Sequence, residues 1–160
     1  MKRIDRIRKH EAFCHCMKQI EMAEKNRIYC KHNLGHSLDV ARIAYILNLE
    51  EQGGLSKEMI YAMALLHDLG RSEEYHKGTA HHEAGAALAE QILLECGFTE
   101  AETGQICQAI AAHKYSGRDA GDYGAELLYR ADKLSRNCFD CMASKTCYWK
   151  EECRNSSILY

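Results

Sequence analysis

A histidine–aspartate pair ends an apolar run in the segment MALLHDLGR, residues 63–71. His67 and Asp68 are both ionisable, and such groups are costly to bury at the end of an apolar segment unless something pairs with them. A neutral imidazole and a carboxylate are ordinary ligands of zinc, iron and manganese. The segment therefore predicts a metal site whose remaining ligands come from elsewhere in the chain.

Helical spacing of apolar residues runs along most of the 160-residue chain, and proline, which breaks helix interiors, is absent. Helices are predicted in residues 3–25, from the N-cap Asn33 to Gly53, from the N-cap Ser56 to Gly70, from Thr79 or His81 to Gly97, from the N-cap Thr99 to His113 and from near Tyr123. Polar loops are predicted at 71–80 and 114–122. We therefore expect a single all-α domain over residues 1–160, large enough for a sizeable core.

Charge and hydropathy argue against two classes of partner. The net charge is −2 and there is no block of like charges, so we expect no nucleic-acid binding through a basic face. No apolar run approaches the roughly 20 residues that span a bilayer, and the basic N-terminus lacks the apolar core of a signal peptide. We therefore expect a cytoplasmic protein. Its nine cysteines should then be free thiols or metal ligands rather than disulfides.

Ionisable residues continue the apolar face of five different predicted helices. These five residues are His36, His67, His81, His113 and Asp132. A sixth ionisable residue, Asp68, directly follows His67. A single buried histidine usually just donates a hydrogen bond to a carbonyl group. Six such residues would each need their own compensation for lost hydration, whereas one metal centre compensates them all.

Four segments in this order resemble the HD-domain superfamily of metal-dependent phosphohydrolases. They are HSLDVARIA (36–44), ALLHDLGR (64–71), HHEAGAALAEQIL (81–93) and LLYRADKLSR (127–136), and the match covers about residues 30–136. The resemblance implies a compact helical bundle with its metal site between the central helices. It also implies that the first metal is held by His36, His67, Asp68 and Asp132.

A second metal is implied by some branches of the superfamily, including the symmetrical hydrolases of dinucleoside tetraphosphates. In those branches two more histidines are ligands, and here they fall on His81 and His113, with Asp68 as the bridge between the metals. His82 is the alternative to His81, or its neighbour at the site. Iron, manganese, cobalt, nickel and zinc all suit such ligands.

Three residues are candidates for catalytic roles. A divalent metal lowers the pKa of bound water toward ~7, and Asp68 could bridge the ions or orient that water. Arg71 is the candidate for binding the substrate phosphate, because a guanidinium binds phosphate through two hydrogen bonds; the alternative is a solvated surface arginine. Lys133 and Arg136 have the same two interpretations. His32, four residues before His36, is the candidate that protonates the leaving group.

The segment 137–160 lies outside the resemblance and is rich in cysteine. Cys138, Cys141, Cys147 and Cys153 come within sixteen residues, which suggests a structural zinc site or an iron–sulfur cluster. The alternative is a reduced tail that packs against the core through Phe139, Tyr148 and Trp149.

The predicted function is that of a metal-dependent phosphohydrolase, in which metal-activated water cleaves a phosphate ester or anhydride of a nucleotide or another small phosphorylated metabolite. A hydrolase of dinucleoside tetraphosphates is one specific form of it. Two alternatives stay open: a non-catalytic metal or redox sensor, and an HD-fold di-iron oxygenase. We expect a small phosphorylated substrate as the partner, and neither nucleic acid nor a membrane; the sequence says nothing about the oligomeric state.

Overall fold

The computed structural model describes residues 1–78, 80–113 and 121–160, apart from the side chain of Glu83. All regular structure in these residues is helical, which confirms the all-α prediction. The α-helices are α1 (Lys2–Lys9), α2 (Glu11–Ala23), α3 (Leu34–Glu50), α4 (Lys57–Leu66), α5 (Arg71–Lys77), α6 (His81–Glu95), α7 (Glu100–Ala112) and α8 (Tyr123–Leu134). Single 3-10 turns follow at Cys138–Asp140, Ser144–Thr146 and Glu151–Cys153. None of the described helices has both the length and the apolar character needed to cross a membrane.

Three predicted N-caps are confirmed. The Asn33 side chain accepts a hydrogen bond from the backbone N–H of His36 at 3.0 Å and so fixes the start of α3. Ser56 caps α4 in the same way, and Thr99 caps α7 in a capping box with Glu102. Each cap satisfies a backbone donor that the helix itself leaves unpaired.

Helix α4 is the centre of the bundle. Seven of its ten residues are buried, namely Met59, Ile60, Ala62, Met63, Ala64, Leu65 and Leu66. A helix that is apolar on every side needs neighbours on every side, and α4 contacts α1, α3, α6, α7 and α8. The end of α4 is therefore surrounded by other helices, and this is where His67 and Asp68 lie.

The loop predicted at residues 71–80 is wrong for most of its length, because Arg71–Lys77 is helix α5. This helix has almost no apolar stripe, since Ser72 is its one buried residue. Charged pairs support it instead, including Lys77 with Glu73, whose side-chain atoms are 2.7 Å apart. Gly78, with φ of 74°, ends it in the left-handed conformation that favours glycine. Thr79 lies outside the described residues, as does most of the loop predicted at 114–122.

The role predicted for Gly70 is also wrong. Helix α4 ends at Leu66, and Gly70 has φ of −65° and ψ of −10°, which any residue can adopt. Glycine is needed there for space: a Cβ at Gly70 would lie 2.0 Å from the His81 carbonyl oxygen and 2.4 Å from the Gly85 nitrogen. The missing side chain lets the corner after α4 touch the first turn of α6.

Candidate metal centre

Five helices place the six predicted ligands at one point. His36 lies in the first turn of α3 and His81 begins α6. His67 and His113 directly follow α4 and α7, and Asp132 lies in the last turn of α8. Each helix therefore contributes a residue from one of its ends, and together these ends meet around the corner that holds Asp68.

The six side chains form two groups of three. In the first group the ligand atoms of His36, His67 and Asp132 lie within 4.8 Å of one another, and the second group is Asp68, His81 and His113 at the same spacing. Asp68 also approaches the first group, because its Oδ2 is 3.6 Å from Nε2 of His36 and 3.0 Å from Nε2 of His67. The structure thus brings all six predicted residues together, with the Asp68 carboxylate next to both groups.

Backbone carbonyl groups orient two of the histidines. The Nδ1 of His67 is 2.7 Å from the Ala64 carbonyl oxygen, and the Nδ1 of His113 is 2.5 Å from that of Ile110. A ring nitrogen that donates to a carbonyl carries the proton, so the other nitrogen, Nε2, keeps a free lone pair. Both rings are therefore held in the tautomer that a metal ligand needs.

Side chains orient the other two histidines, and sequence reasoning missed both of these supports. The Nδ1 of His81 is 3.1 Å from a carboxylate oxygen of Glu74, and the Nδ1 of His36 is 3.2 Å from the Ser135 hydroxyl. Ser135 in turn donates to the Asp132 carbonyl oxygen at 2.8 Å. Glu74 could not be found from the sequence, because its helix was predicted as a loop.

Two buried polar atoms at this point make no hydrogen bond within the described part of the chain: Nε2 of His67 and Oδ2 of Asp68. They are only 3.0 Å apart, but the angles do not form a hydrogen bond. A buried polar atom left without a partner costs about 1–3 kcal/mol. A lone pair and a carboxylate oxygen facing one another therefore fit a metal ion, which would compensate both.

The protonation states of Asp68 and His113 suit metal binding. Burial raises the pKa of Asp68, but the adjacent His67 and His36 outweigh it and hold this pKa well below its usual range. Burial lowers the pKa of His113 to about 4. The carboxylate is then ionised and this imidazole neutral at pH 7, which is the form in which each binds a metal.

Three basic side chains surround the two carboxylates. Arg71 donates from Nε to Oδ1 of Asp68 at 2.7 Å, and with 21% of its side chain exposed it is not the solvated surface arginine considered above. Arg136 is buried and donates to Oδ1 of Asp132 at 2.6 Å, and Lys133 donates to the other oxygen at 3.3 Å. The structure places these cations where they neutralise the acidic ligands.

His32 lies beside the first group and is held by a residue that sequence reasoning missed. Its ring meets that of His36 edge to face, with centroids 5.8 Å apart. Its Nδ1 pairs with the buried Glu24 carboxylate, which also accepts from the His32 backbone N–H at 2.8 Å and from the Tyr75 hydroxyl at 2.6 Å. The role of His32 as a proton donor stays a prediction, and Glu24 is the group that positions it.

Glu24 is expected to stabilise the fold in a pH-dependent way. Burial raises its pKa, but hydrogen bonds from His32 and Tyr75 outweigh this and lower it from 4.5 to about 2. This contribution is therefore present above pH 4.5 and is lost as the pH falls toward 2. Glu24→Gln should reduce the free energy of unfolding by about 1–3 kcal/mol at pH 7. The difference from wild type, measured by urea denaturation, should shrink between pH 5 and pH 3.

The control for this prediction is Glu21→Gln, because Glu21 lies on the same helix and is exposed. It should change the free energy of unfolding by less than about 0.5 kcal/mol at either pH. A Glu24→Gln difference that stayed constant over this pH range would contradict the assigned pKa.

The other predicted ligands are placed differently. His82 is buried, with its ring centroid 5.7 Å from that of His81, but it belongs to neither group of ligand atoms. No three sulfur atoms of the four tail cysteines lie within 4.8 Å of one another in the described residues, so a metal at these cysteines stays a prediction. Successive 3-10 turns separate them and leave Cys153 exposed. All nine cysteines are free thiols.

Comparison with known proteins gives the same family as the motifs. The HD domain family model matches residues 33–137. An uncharacterized protein of Clostridium beijerinckii is 41% identical over 160 residues, which is 100% of both chains. A solved structure described as a predicted HD superfamily hydrolase, from an uncultured Thermotogales bacterium, superposes with a TM-score of 0.63. The two sequences are 24% identical, and the match covers 88% of this chain and 80% of the other.

Ribonucleases Y of several bacteria also match. Ribonuclease Y of Thermus thermophilus is 33% identical over 107 residues, and ribonuclease Y 1 of Pediococcus pentosaceus is 29% identical over 109 residues. Each match covers 67% of this chain but only 17% and 18%, respectively, of the ribonuclease. The chain thus spans less than a fifth of these relatives. Since the family model covers most of the chain and includes all six converging residues, this protein belongs to the HD domain family.

Proposed function

We propose that the protein is a metal-dependent phosphohydrolase that acts with two divalent metal ions on a phosphate ester or anhydride of a nucleotide or another small phosphorylated metabolite. The observation that carries this proposal is the position of Asp68, whose carboxylate belongs to one group of three ligands and lies within 3.6 Å of two histidine nitrogens of the other. An HD fold and a structural relative described as a hydrolase support it.

Different residues of the chain would serve different steps of such a reaction. His36, His67 and Asp132 would hold one ion, and Asp68, His81 and His113 the other. Ions held there supply a water of lowered pKa and positive charge for the phosphate oxygens. The outer bonds of the four imidazoles keep their rings fixed, so little reorganisation is needed when substrate binds.

Arg71 and His32 are the residues we assign to the substrate itself. Both line a cavity of about 280 Å³ that reaches Asp132. The Arg71 guanidinium, now bonded to Asp68, is the kind of group that binds a phosphate through two parallel hydrogen bonds. His32, whose ring Glu24 positions through Nδ1, is the residue we assign to protonating the leaving oxygen, although burial lowers its pKa.

A metal-supplemented screen tests this function. Phosphate release would be measured with Mn²⁺, Co²⁺, Ni²⁺, Zn²⁺ and, without oxygen, Fe²⁺. The panel would contain nucleoside mono-, di- and triphosphates, dinucleoside polyphosphates, small phosphate esters and a short oligoribonucleotide. We expect turnover of at least one small substrate that a chelator abolishes and metal restores. Absence of turnover across the whole panel would contradict the proposal and favour a sensor or an oxygenase.

A further inference from the structure

The cavity beside the metal centre has two walls of different origin. One wall comes from the HD domain and includes His32, Arg71 and Asp132. The other comes from the tail, residues 137–160, and includes Tyr148 and Trp149. The tail lies beyond the family match, which ends at residue 137. Part of the candidate active site is thus built by a segment that the HD domain does not supply.

This tail wall is tied firmly to the bundle. The Asn155 side chain donates to the carbonyl oxygens of Lys133 at 2.9 Å and Arg136 at 2.7 Å, just where α8 ends. Arg154 donates to the carbonyl oxygens of Ser144, Cys147 and Trp149 at 2.9, 3.1 and 2.6 Å, and so fixes the turns against one another. From the other side, the Tyr29 hydroxyl donates to the Thr146 carbonyl oxygen at 2.9 Å. These hydrogen bonds therefore hold the tail in a defined position against the bundle.

The cavity is strongly positive in a protein whose net charge is −2. Its walls carry one carboxylate, Asp132, against five basic residues: Arg27, Arg71, Lys133, Arg136 and Arg154. Arg154 is occupied with tail carbonyls, but Lys133 and Arg71 adjoin the metal ligands through Asp132 and Asp68. Positive charge concentrated in a cleft attracts an anion, and guanidinium groups favour a phosphate.

Aromatic rings complete the tail wall. The Lys133 ammonium lies 4.8 Å from the centroid of the Trp149 ring and also donates to Asp132, so this charge lies between the ring and the carboxylate. Tyr148 packs edge to face on Tyr29, with centroids 5.7 Å apart. Aromatic side chains in a ligand cavity bind planar rings by stacking or edge contacts.

We propose that the tail wall selects the substrate: a phosphate monoester whose leaving group carries one planar ring system, with the ring against Trp149 and Tyr148 and the phosphate toward Arg71 and the metal centre. Hydrolysis would add the oxygen of water to phosphorus, break the P–O bond to the leaving group and transfer a proton of that water to the leaving oxygen. The volume of about 280 Å³ lies at the lower end of ligand pockets, which are roughly 300–1,000 Å³. This volume favours a leaving group with one ring system over a dinucleoside.

The proposal rests on the proposed function, but binding tests it without turnover. Trp149 is the only tryptophan in the chain, so tryptophan emission reports on this wall directly. Metal-loaded protein would be titrated with benzylphosphonate and methylphosphonate, whose P–C bonds are not hydrolysed, by calorimetry and fluorescence. Benzylphosphonate should bind at least ~10-fold more tightly, in line with one or two aromatic contacts, and change the emission saturably. Equal affinities, or no change in emission, would overturn the proposal.

Activity then separates the two proposals. Trp149→Leu should raise KM about 10-fold for an aryl phosphate and change it less than about 2-fold for an alkyl phosphate. Phe139→Leu is the matched control, because Phe139 is an exposed tail aromatic that does not line the cavity. If wild type hydrolyses neither ester nor any other member of the panel, the proposed function fails and the phosphonate titration still decides about the wall. If Trp149→Leu affects both esters equally, the tail does not select the ring.

Discussion

Asp68→Ala is expected to abolish binding of both metal ions and to reduce phosphohydrolase activity by at least about 1,000-fold, or about 4 kcal/mol of transition-state stabilisation. The reason is that its carboxylate serves both ligand groups: it lies 3.0 and 3.6 Å from imidazole nitrogens of the first and is itself a member of the second. Substitution of any other ligand removes a donor from one group only. Metal content by elemental analysis and kcat/KM on the screened substrate are the measurements.

The matched control for this substitution is Asp39→Ala, since Asp39 is an aspartate on α3 whose side chain is half exposed and paired only with Arg42 in the described structure. It should keep both metals and its activity within about 2-fold, because exposed ion pairs contribute little. Asp68→Asn would add a second comparison, since it keeps the shape and removes the charge. A fully active Asp68→Ala protein would contradict the assigned role of this residue.

Gly70→Ala is expected to be the most destabilising small substitution in the chain. The new Cβ would lie 2.0 Å from the His81 carbonyl oxygen and 2.4 Å from the Gly85 nitrogen. These are backbone atoms, so no side-chain rotation relieves the overlap, and the start of α6 must move away. We expect a loss of more than about 3 kcal/mol in the free energy of unfolding, beyond the usual cost of overpacking. Because His81 begins α6, the second metal should bind more weakly as well.

Gly104→Ala is expected to raise the free energy of unfolding, in contrast to Gly70→Ala. Gly104 lies within α7, and a Cβ there meets nothing within 4 Å. Alanine should therefore stabilise the protein by about 0.5–1 kcal/mol through better helix propensity. Urea denaturation of both variants measures the contrast. A Gly70→Ala protein within about 1 kcal/mol of wild type would show that the corner after α4 does not need this close approach.

The six converging residues could be predicted from the sequence because helical periodicity marks which residues face inward. His36, for example, continues the apolar stripe of Val40, Ile43 and Leu47, and all four are buried. Capping chemistry is equally local, so Asn33, Ser56 and Thr99 were identified from their own neighbourhoods. The assignment of these residues to two particular metal ions came from the resemblance to the family and is still a prediction.

The features that sequence reasoning missed depend on contacts between distant parts of the chain. Glu24, just after α2, is buried and accepts a hydrogen bond from Tyr75 of α5, and nothing in its own surroundings marks it as buried. Helix α5 is nearly all polar, so periodicity could not reveal it or its Glu74. Gly70 looked like a helix terminator because the partner that requires it, the backbone of α6, lies elsewhere in the sequence.

The tail shows how little local spacing says about its position in the fold. Cysteine spacing pointed to a structural metal, whereas in the structure the described sulfur atoms do not gather, and three of the four tail cysteines instead line the cavity beside the metal centre. The contacts that fix the tail come from Arg154 and Asn155, which donate to backbone carbonyls. Carbonyl groups are present at every residue, so no pattern of side chains could have predicted those bonds.

Anomalous diffraction from crystals grown with Mn²⁺ is the test of the two-metal centre that we would perform first, because it locates bound metal without reference to activity. Two anomalous peaks are expected: one bounded by His36, His67 and Asp132, and one bounded by His81 and His113, with the Asp68 carboxylate between the peaks. A single peak bound by only one group, or none near these residues, would contradict a two-metal centre.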